Sequence, residues 1–434
     1  MKKIIILLFI ITAYVYPQSF DGISPGLAGN YMTMSRGVNA LGWNPANLAL
    51  SRGNGIEISL LSFNSSLYNN SFSLDTYNRF FTEEGHGGYW NTKDKNELLD
   101  IMSDNGLRMD VGVNANILGL AFNNFGMAVQ MIGQGYTKLA ANKEPFEMVL
   151  FGETIDRSYQ YEQSSQVKAA AYSAMKISFG YAYPINMKWL RPELKDLAIG
   201  LTWNRYVGFA VAQSRKADVL FERIPGDEES LKYALLMEAR TANASGSSSG
   251  TGNGFDFGLS SGWGKNIDFS WSFTNVGASI KWVGDTEKHY LYHADSVAIE
   301  DIDKDDDESS KTEIDTTYDI GSFRTSLPAM MRMGAVYHLS QQWKVSAEYH
   351  QGLNRAFGNS VRMRLGAATE YKALPWLPLR GGLAFGGIEG SQLGMGFGLH
   401  FPFFQFDYSF AMKGGLWPTY AKGLFNAVSM KLVF

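Results

Sequence analysis

From residue 56 to residue 434 the chain is written in twos. Ile267, Phe269, Trp271 and Phe273 alternate with Asp268, Ser270, Ser272 and Thr274. Met175, Ile177, Phe179, Tyr181 and Tyr183 alternate with Lys176, Ser178, Gly180 and Ala182, and Phe404, Phe406, Tyr408 and Phe410 with Gln405, Asp407, Ser409 and Ala411. A period of two puts one set on each face of a β-strand. The off-face residues are mostly Gly, Ser, Ala, Thr and Asn, where a soluble sandwich would carry many charges. Large apolar residues facing lipid and small or polar ones facing a lumen are the mark of a transmembrane barrel, which also leaves no strand edge unpaired. Short turns rich in Gly, Asn, Pro or Asp separate about fourteen membrane-length segments, and a single-chain bacterial barrel is expected to have an even number. The predicted fold is therefore all-β, an outer-membrane barrel of antiparallel strands.

The same alternation sorts candidate lumen residues. Val361, Met363 and Leu365 alternate with Arg362 and Arg364. If the apolar set meets lipid, both arginines point inward. Glu348 and His350 share one strand face and join the polar interior, and His338 has the same parity in a neighbouring strand.

Segments outside the pattern have their own signals. Lys2 and Lys3 followed by an apolar run from Ile4 to Ala13 read as a secretory signal peptide over residues 1–18, cleaved near Gln18 or Ser19. Residues 19–55 are turn-rich and do not alternate. A helix is predicted over Asp94 to Met102, with Asp94 and Glu97 at capping-box spacing and Asn105-Gly106 as its stop, and a second over residues 143–151. The final strand places Val428, Met430, Leu432 and Phe434 on one face. A terminal aromatic in an alternating strand resembles the signal by which outer-membrane barrels are recognised for assembly, so Phe434 is the candidate assembly signal.

Two loops are predicted on the outer side, because long loops face outside and short turns the periplasm. Ser245 to Gly254 is Ser- and Gly-rich and reads as mobile. Ala294 to Asp319 is acidic, and its Asp301, Asp303, Asp305 and Asp307 place hard oxygen ligands at alternate positions, a weak calcium candidate. It lacks the Gly and Glu of the helix-loop-helix calcium pattern, and a solvated acidic loop is the simpler reading.

Composition narrows the chemistry. There are 46 Gly, 14% aromatics and 18% charged residues, and the net charge of −4 gives no broad attraction to nucleic acid. With 0 Cys, thiolate metal sites, iron-sulfur clusters and cysteine nucleophiles are excluded. Gly258-Leu259-Ser260-Ser261-Gly262 matches a nucleophile elbow in letters but sits in an alternating strand. His289 and His293 would face one ion together only on a helix, and their surroundings read as strand. No phosphate loop or dinucleotide fingerprint is present. No catalytic site, enzyme activity or cofactor is expected.

Arg36 to Leu48, with Arg36, Gly37, Ala40, Trp43, Asn44, Pro45, Ala46 and Leu48, resembles the N-terminal signature of exported barrels related to the long-chain fatty-acid transporter. That group includes a barrel associated with secretion across the Bacteroidota envelope. Further stretches, Ser62 to Phe80, Asp94 to Arg108, Glu147 to Thr154 and Pro375 to Phe434, resemble an uncharacterised family of outer-membrane proteins from that assemblage. The resemblance implies a barrel whose lumen is plugged by the N-terminal segment, residues 19–55, with Leu41, Trp43, Asn44, Pro45 and Leu48 at its centre. The residues themselves allow a plug or a simple helix-start turn, since Asn44 can bond its own backbone and Pro45 fixes a turn. The transporter's ligand-binding residues have no recognisable counterparts here.

The leading expectation is an outer-membrane channel or transporter for small solutes, hydrophobic ones included. A non-enzymatic partner barrel of an envelope or secretion system is the second, and a structural surface barrel the third. Expected partners are outer-membrane lipid, the barrel assembly machinery, and a small hydrophobic solute or envelope proteins, with no nucleic acid.

Overall fold

The computed structural model describes residues 20–50, 55–82, 85, 89–139, 143–151, 168–185, 193–223, 230–243, 248–298 and 312–434. The signal-peptide residues 1–18 and the acidic positions Asp301, Asp303, Asp305 and Asp307 lie outside the described residues.

The strands, in chain order, are β1 (Ile56–Asn69), β2 (Leu107–Phe122), β3 (Phe125–Leu139), β4 (Lys168–Ile185), β5 (Leu194–Arg223), β6 (Ser230–Asn243), β7 (Gly250–Trp263), β8 (Ile267–Trp282), β9 (Thr286–Ala298), β10 (Thr312–Asp319), β11 (Phe323–Ser326), β12 (Met330–His338), β13 (Trp343–Gly352), β14 (Arg364–Leu374), β15 (Leu377–Gly386), β16 (Gly390–His400), β17 (Phe404–Lys413) and β18 (Gly423–Val433). Pairing runs β1 to β5, then β7, β8 and β12 to β18, and β18 returns to β1 with Glu57 opposite Val433 and Tyr68 opposite Gly423. The result is a closed antiparallel barrel of 14 strands. Closure leaves each wall strand paired on both sides, which lipid demands. No described helix is long and apolar enough to cross a membrane.

The outward face is the one the alternation predicts. In β7, Phe255, Phe257 and Leu259 are exposed while Asp256 and Ser260 are buried. At the end where β1 begins and β18 ends, Phe122, Tyr183, Trp263, Trp343, Trp376 and Phe401 are exposed. These aromatics suit one of the two interfacial girdles of a membrane barrel. The connections at this end are short, such as residues 123–124 and 264–266. The long connections gather at the opposite, loop end.

The remaining strands extend the wall at the loop end. The first half of β5 pairs with β7, and its second half, from Ala210, pairs with β6, which continues into β9 and β10. β11 pairs with the last residues of β8, beyond those that pair with β12. Three helices, α1 (Leu74–Phe80), α2 (Thr92–Ile101) and α3 (Glu144–Phe151), belong to the long connections, and Phe80, Leu98, Met102 and Leu150 form their shared apolar cluster.

Three local expectations are corrected. The cap of α2 is Asn91, whose side chain accepts from Asp94 N at 3.1 Å while Asp94 Oδ2 accepts from Asn91 N at 3.0 Å. The capping box therefore sits three residues earlier than Asp94–Glu97. Gly250 to Gly254 is strand, because those residues complete the β7 pairing with β5 and β8. The acidic loop is likewise shorter at both ends, since 294–298 and 312–319 pair in β9 and β10.

Candidate functional site

Residues 20–50 fold as a compact segment of three 3-10 turns, Ser24–Leu27, Gly37–Ala40 and Pro45–Leu48. Nearly all of them are buried. The first turn packs against β14 to β18, the second against β1 to β3, and the third against β4, β5 and β7. A segment that touches strands around the ring in this way lies inside the barrel.

The small lumen-facing residues make that possible. A Cβ on Gly394 would overlap the carbonyl oxygen of Pro25, one on Gly382 the backbone of Leu27, and one on Gly258 the amide oxygen of Asn44. Glycine at these positions lets backbone approach backbone. Near the turns of β2 to β4, Val38, Leu41 and Leu48 pack on Ala121, Ala128 and Ala182.

Polar contacts fix the rest of the segment. Asn44 caps the third turn by accepting from Ala46 N at 3.0 Å, and Pro45 starts it. The Asn44 amide donates outward to Leu259 O at 3.1 Å and Ser260 Oγ at 2.9 Å, and Ser260 donates to Asn47 Oδ1 at 2.5 Å. Ser260, the centre of the elbow-like motif, thus anchors the segment to β7. Trp43 donates to Asp21 Oδ2 at 2.9 Å, and Asp21 Oδ1 accepts from Ile23 N and Ser24 N. Trp43 also meets Tyr31 edge-on at 5.9 Å and carries the Arg332 guanidinium over its ring at 4.8 Å. Glu348 accepts from Thr33 N at 3.0 Å and Met32 N at 3.3 Å.

Between this segment and the loop end lies a cavity of about 80 Å³, reaching from Gly42 to Arg362. Its wall includes Arg332, His350 and Arg364, which stand opposite one another on β12, β13 and β14. Lys176, Asp110 and Glu389 line the same space. Arg108 holds Asp110 at 2.7 Å, Lys176 approaches Asp256 at 3.9 Å, and Lys413 holds Glu389 at 3.3 Å. Glu389 sits in the turn before β16, where burial pushes its carboxyl above the ordinary range against the pull of Lys413. A separate network, Lys344–Glu370–Arg380–Asp407–His400, with Arg380 and Asp407 buried at its centre, braces the wall nearer the short turns with contacts of 2.7 to 3.1 Å.

Leu41, Trp43, Asn44, Pro45 and Leu48 are all buried in the N-terminal segment. Arg364, His350 and Glu348 are buried on the lumen side. His350 Nε2 lies 2.8 Å from Glu348 Oε2, and its Nδ1 lies 3.4 Å from Arg364. Arg362, expected to point inward with Arg364, lines the same cavity but at its rim. It precedes β14 in a connection, where no ladder fixes its direction, and is exposed at the cavity rim. His338 bonds Asp268 at 2.9 Å at the short-turn end of β12, away from His350. His289 and His293 lie along β9, with His289 bonding Thr241 and Thr317. Phe434 is exposed and closes the seam, its amide donating to Ile56 O at 2.9 Å and its carbonyl accepting from Ile56 N at 3.1 Å. Sequence reasoning missed Arg332, although Met331-Arg332-Met333 carries the same signal that singled out Arg364. It also passed over Lys176, visible within its strand's off-face set.

The chain belongs to a family of unknown function, DUF5723, whose model matches residues 45–408. No curated protein matches it. Among solved structures it is similar to the deltaS2S3 mutant of the monoaromatic hydrocarbon channel TodX, with 11% identity and a TM-score of 0.51 over 96% of this chain and 98% of that one. It is also similar to the Ralstonia pickettii toluene transporter TbuX (13% identity, TM-score 0.49, 96% and 98% covered). A third is a Pseudomonas aeruginosa FadL homologue (11%, 0.48, 96% and 98%). At such identities the likeness is one of fold.

Proposed function

We propose that this DUF5723 member is an outer-membrane transporter of small solutes whose lumen is plugged by residues 20–50. The observation that carries the reading is the segment's position. Its three turns touch β14 to β18, β1 to β3, and β4, β5 and β7 around the ring, and the wall replaces side chains with glycine where its backbone passes. A barrel whose only task is to stand in a membrane has no need of a foreign segment seated this closely. Hydrocarbon and toluene transport are properties of the named relatives, and the shared barrel supports the transport class here.

The test is planar-bilayer conductance of the purified full-length protein beside a variant lacking residues 22–50, with the leader and cleavage region kept. Conductance rises sharply on truncation if the segment blocks passage. Unchanged conductance, with both proteins folded, removes the transport reading. The second reading, a partner barrel of the envelope, is favoured by the extension at the loop end, where β10 pairs with β9 and all its residues are exposed.

A further inference from the structure

We propose that the lumenal cavity beside Trp43 is a binding site for a small oxyanion, a phosphate, sulfate or short carboxylate, held by Arg332 and Arg364. The proposal rests on the transport reading and names the class of solute.

Arg332 and Arg364 flank His350 in one cross-strand row and face the same cavity. Both are buried. Among the described residues neither has a carboxylate within the 4.0 Å of an ion pair. The nearby carboxylates are engaged elsewhere. Asp256 accepts from Asn275 N at 2.6 Å and faces Lys176, Glu389 faces Lys413, and Asp110 faces Arg108. Glu348 lies in the field of Arg332, but its oxygens are held by His350 and by the amides of Met32 and Thr33.

What the two arginines do contact is neutral. Arg364 donates to the carbonyl of Ala28 and to Gln392 Oε1 at 2.9 Å. Arg332 donates through Nη1 to Thr274 Oγ1 at 3.1 Å and lies on Trp43, which leaves its buried Nε with no acceptor. With no carboxylate in contact, the buried planar fork of each guanidinium is left to neutral partners, and an oxyanion fits that fork. The cavity, about 80 Å³, has room for a small ion or several waters. Arg362, exposed at the rim, extends the positive potential toward the loop end.

The test is equilibrium dialysis of the detergent-purified full-length barrel against radiolabelled inorganic phosphate, with succinate as a second arm. At least one probe binds saturably at one per barrel. Arg332→Lys, which keeps the charge but loses the fork, and Arg364→Gln each weaken binding about tenfold or more. No saturable binding of either probe to the wild type, or unchanged binding in both variants, overturns the site. A second measurement needs no variant: the probe that binds raises the wild-type thermal midpoint above that in chloride at matched ionic strength, and equal midpoints count against the proposal. Binding with no conductance change on truncation keeps the anion site and discards transport. A conductance change with no binding does the reverse.

Discussion

Asn44→Ala should loosen the N-terminal segment without unfolding the barrel. The Asn44 side chain caps the Pro45–Leu48 turn through Ala46 N, and its amide reaches Leu259 O and Ser260 Oγ on β7. Loss of an Asn cap costs about 1 kcal/mol, and each of the two amide bonds about 1 kcal/mol more. Ser260 keeps Asn47 and Ser270 as partners, so no orphaned hydroxyl adds to the sum. The total, about 3 kcal/mol, raises the opening equilibrium of the segment roughly a hundredfold. The barrel ladder is untouched, so the change is local. Hydrogen exchange followed by mass spectrometry reads it at the amides of Asn47 and Ala49, which donate to Asn44 O and Ala46 O within the turn. Their exchange accelerates roughly in proportion to opening, while the amides of β13 to β16 keep their rates. An exposed control, Arg362→Ala, leaves both unchanged. Acceleration below about threefold would refute the claim that Asn44 anchors the segment. A double-mutant cycle with Ser260→Ala isolates the contact itself, since residues that share a hydrogen bond fail to add.

Other predictions address the wall. Gly394→Val pushes a side chain into the Pro25 carbonyl, an overpacking worth roughly 1–3 kcal/mol, and should raise single-channel conductance by displacing the first turn; a silent variant would count against close seating. Met395→Arg, at the middle of β16 on the lipid face, should lose roughly 2–4 kcal/mol in urea unfolding, whereas the exposed Arg362→Ala loses almost nothing; equal losses would contradict the facing of β16. Deleting Phe434 removes both hydrogen bonds to Ile56 at the seam, and cell fractionation with a heat-modifiability gel should show less folded protein in the membrane. Normal levels of folded barrel would argue against a terminal signal.

The wall was readable because lipid imposes a period of two on every spanning strand. The alternation of Phe269 and Trp271 with Ser270 and Ser272 could have no other outcome once one face had to be apolar. The loop end was harder. Gly250 to Gly254 has the composition of a linker, but its backbone donors and acceptors are claimed by β5 and β8, and pairing outweighs propensity. Arg362 looked like Arg364 because parity continues on paper past the point where the ladder stops. The site was half legible. Trp43-Asn44-Pro45 announced a turn, and the glycines and serines of the off-face announced a face that is not lipid. Their joint meaning, a wall cut to receive a backbone, appears only when Gly258 and Asn44 are brought together across the sequence.

How the lumen could open follows from what holds the segment. Its grip is of two kinds. Val38, Leu41 and Leu48 are buried against alanines near the turns of β2 to β4. Ejecting them into water would cost roughly 1.5–3 kcal/mol each, or about 5–9 kcal/mol together. At about 1.4 kcal/mol per tenfold, fewer than one molecule in a few thousand would then stand open. The polar contacts of Asn44 and Asn47 behave differently, because water can replace each of them at a net loss of about 1 kcal/mol. A passage therefore opens at lower cost by a shift of the polar-bonded part, with the apolar anchors left in place. That part adjoins Trp43, which is buried among Ile23, Leu27, Tyr31 and Met32, carries Arg332 on its ring and lies beside the cavity at Gly42. Charge entering the cavity would act first on Arg332, and through Trp43 on the segment that closes the lumen. On the proposed reading, opening and solute binding would be joined at one contact, and Trp43→Leu should separate them: it should leave Val38, Leu41 and Leu48 seated and let conductance rise without any solute. Conductance that stays at the wild-type level in that variant, with the barrel folded, would break the link between the cavity and the plug.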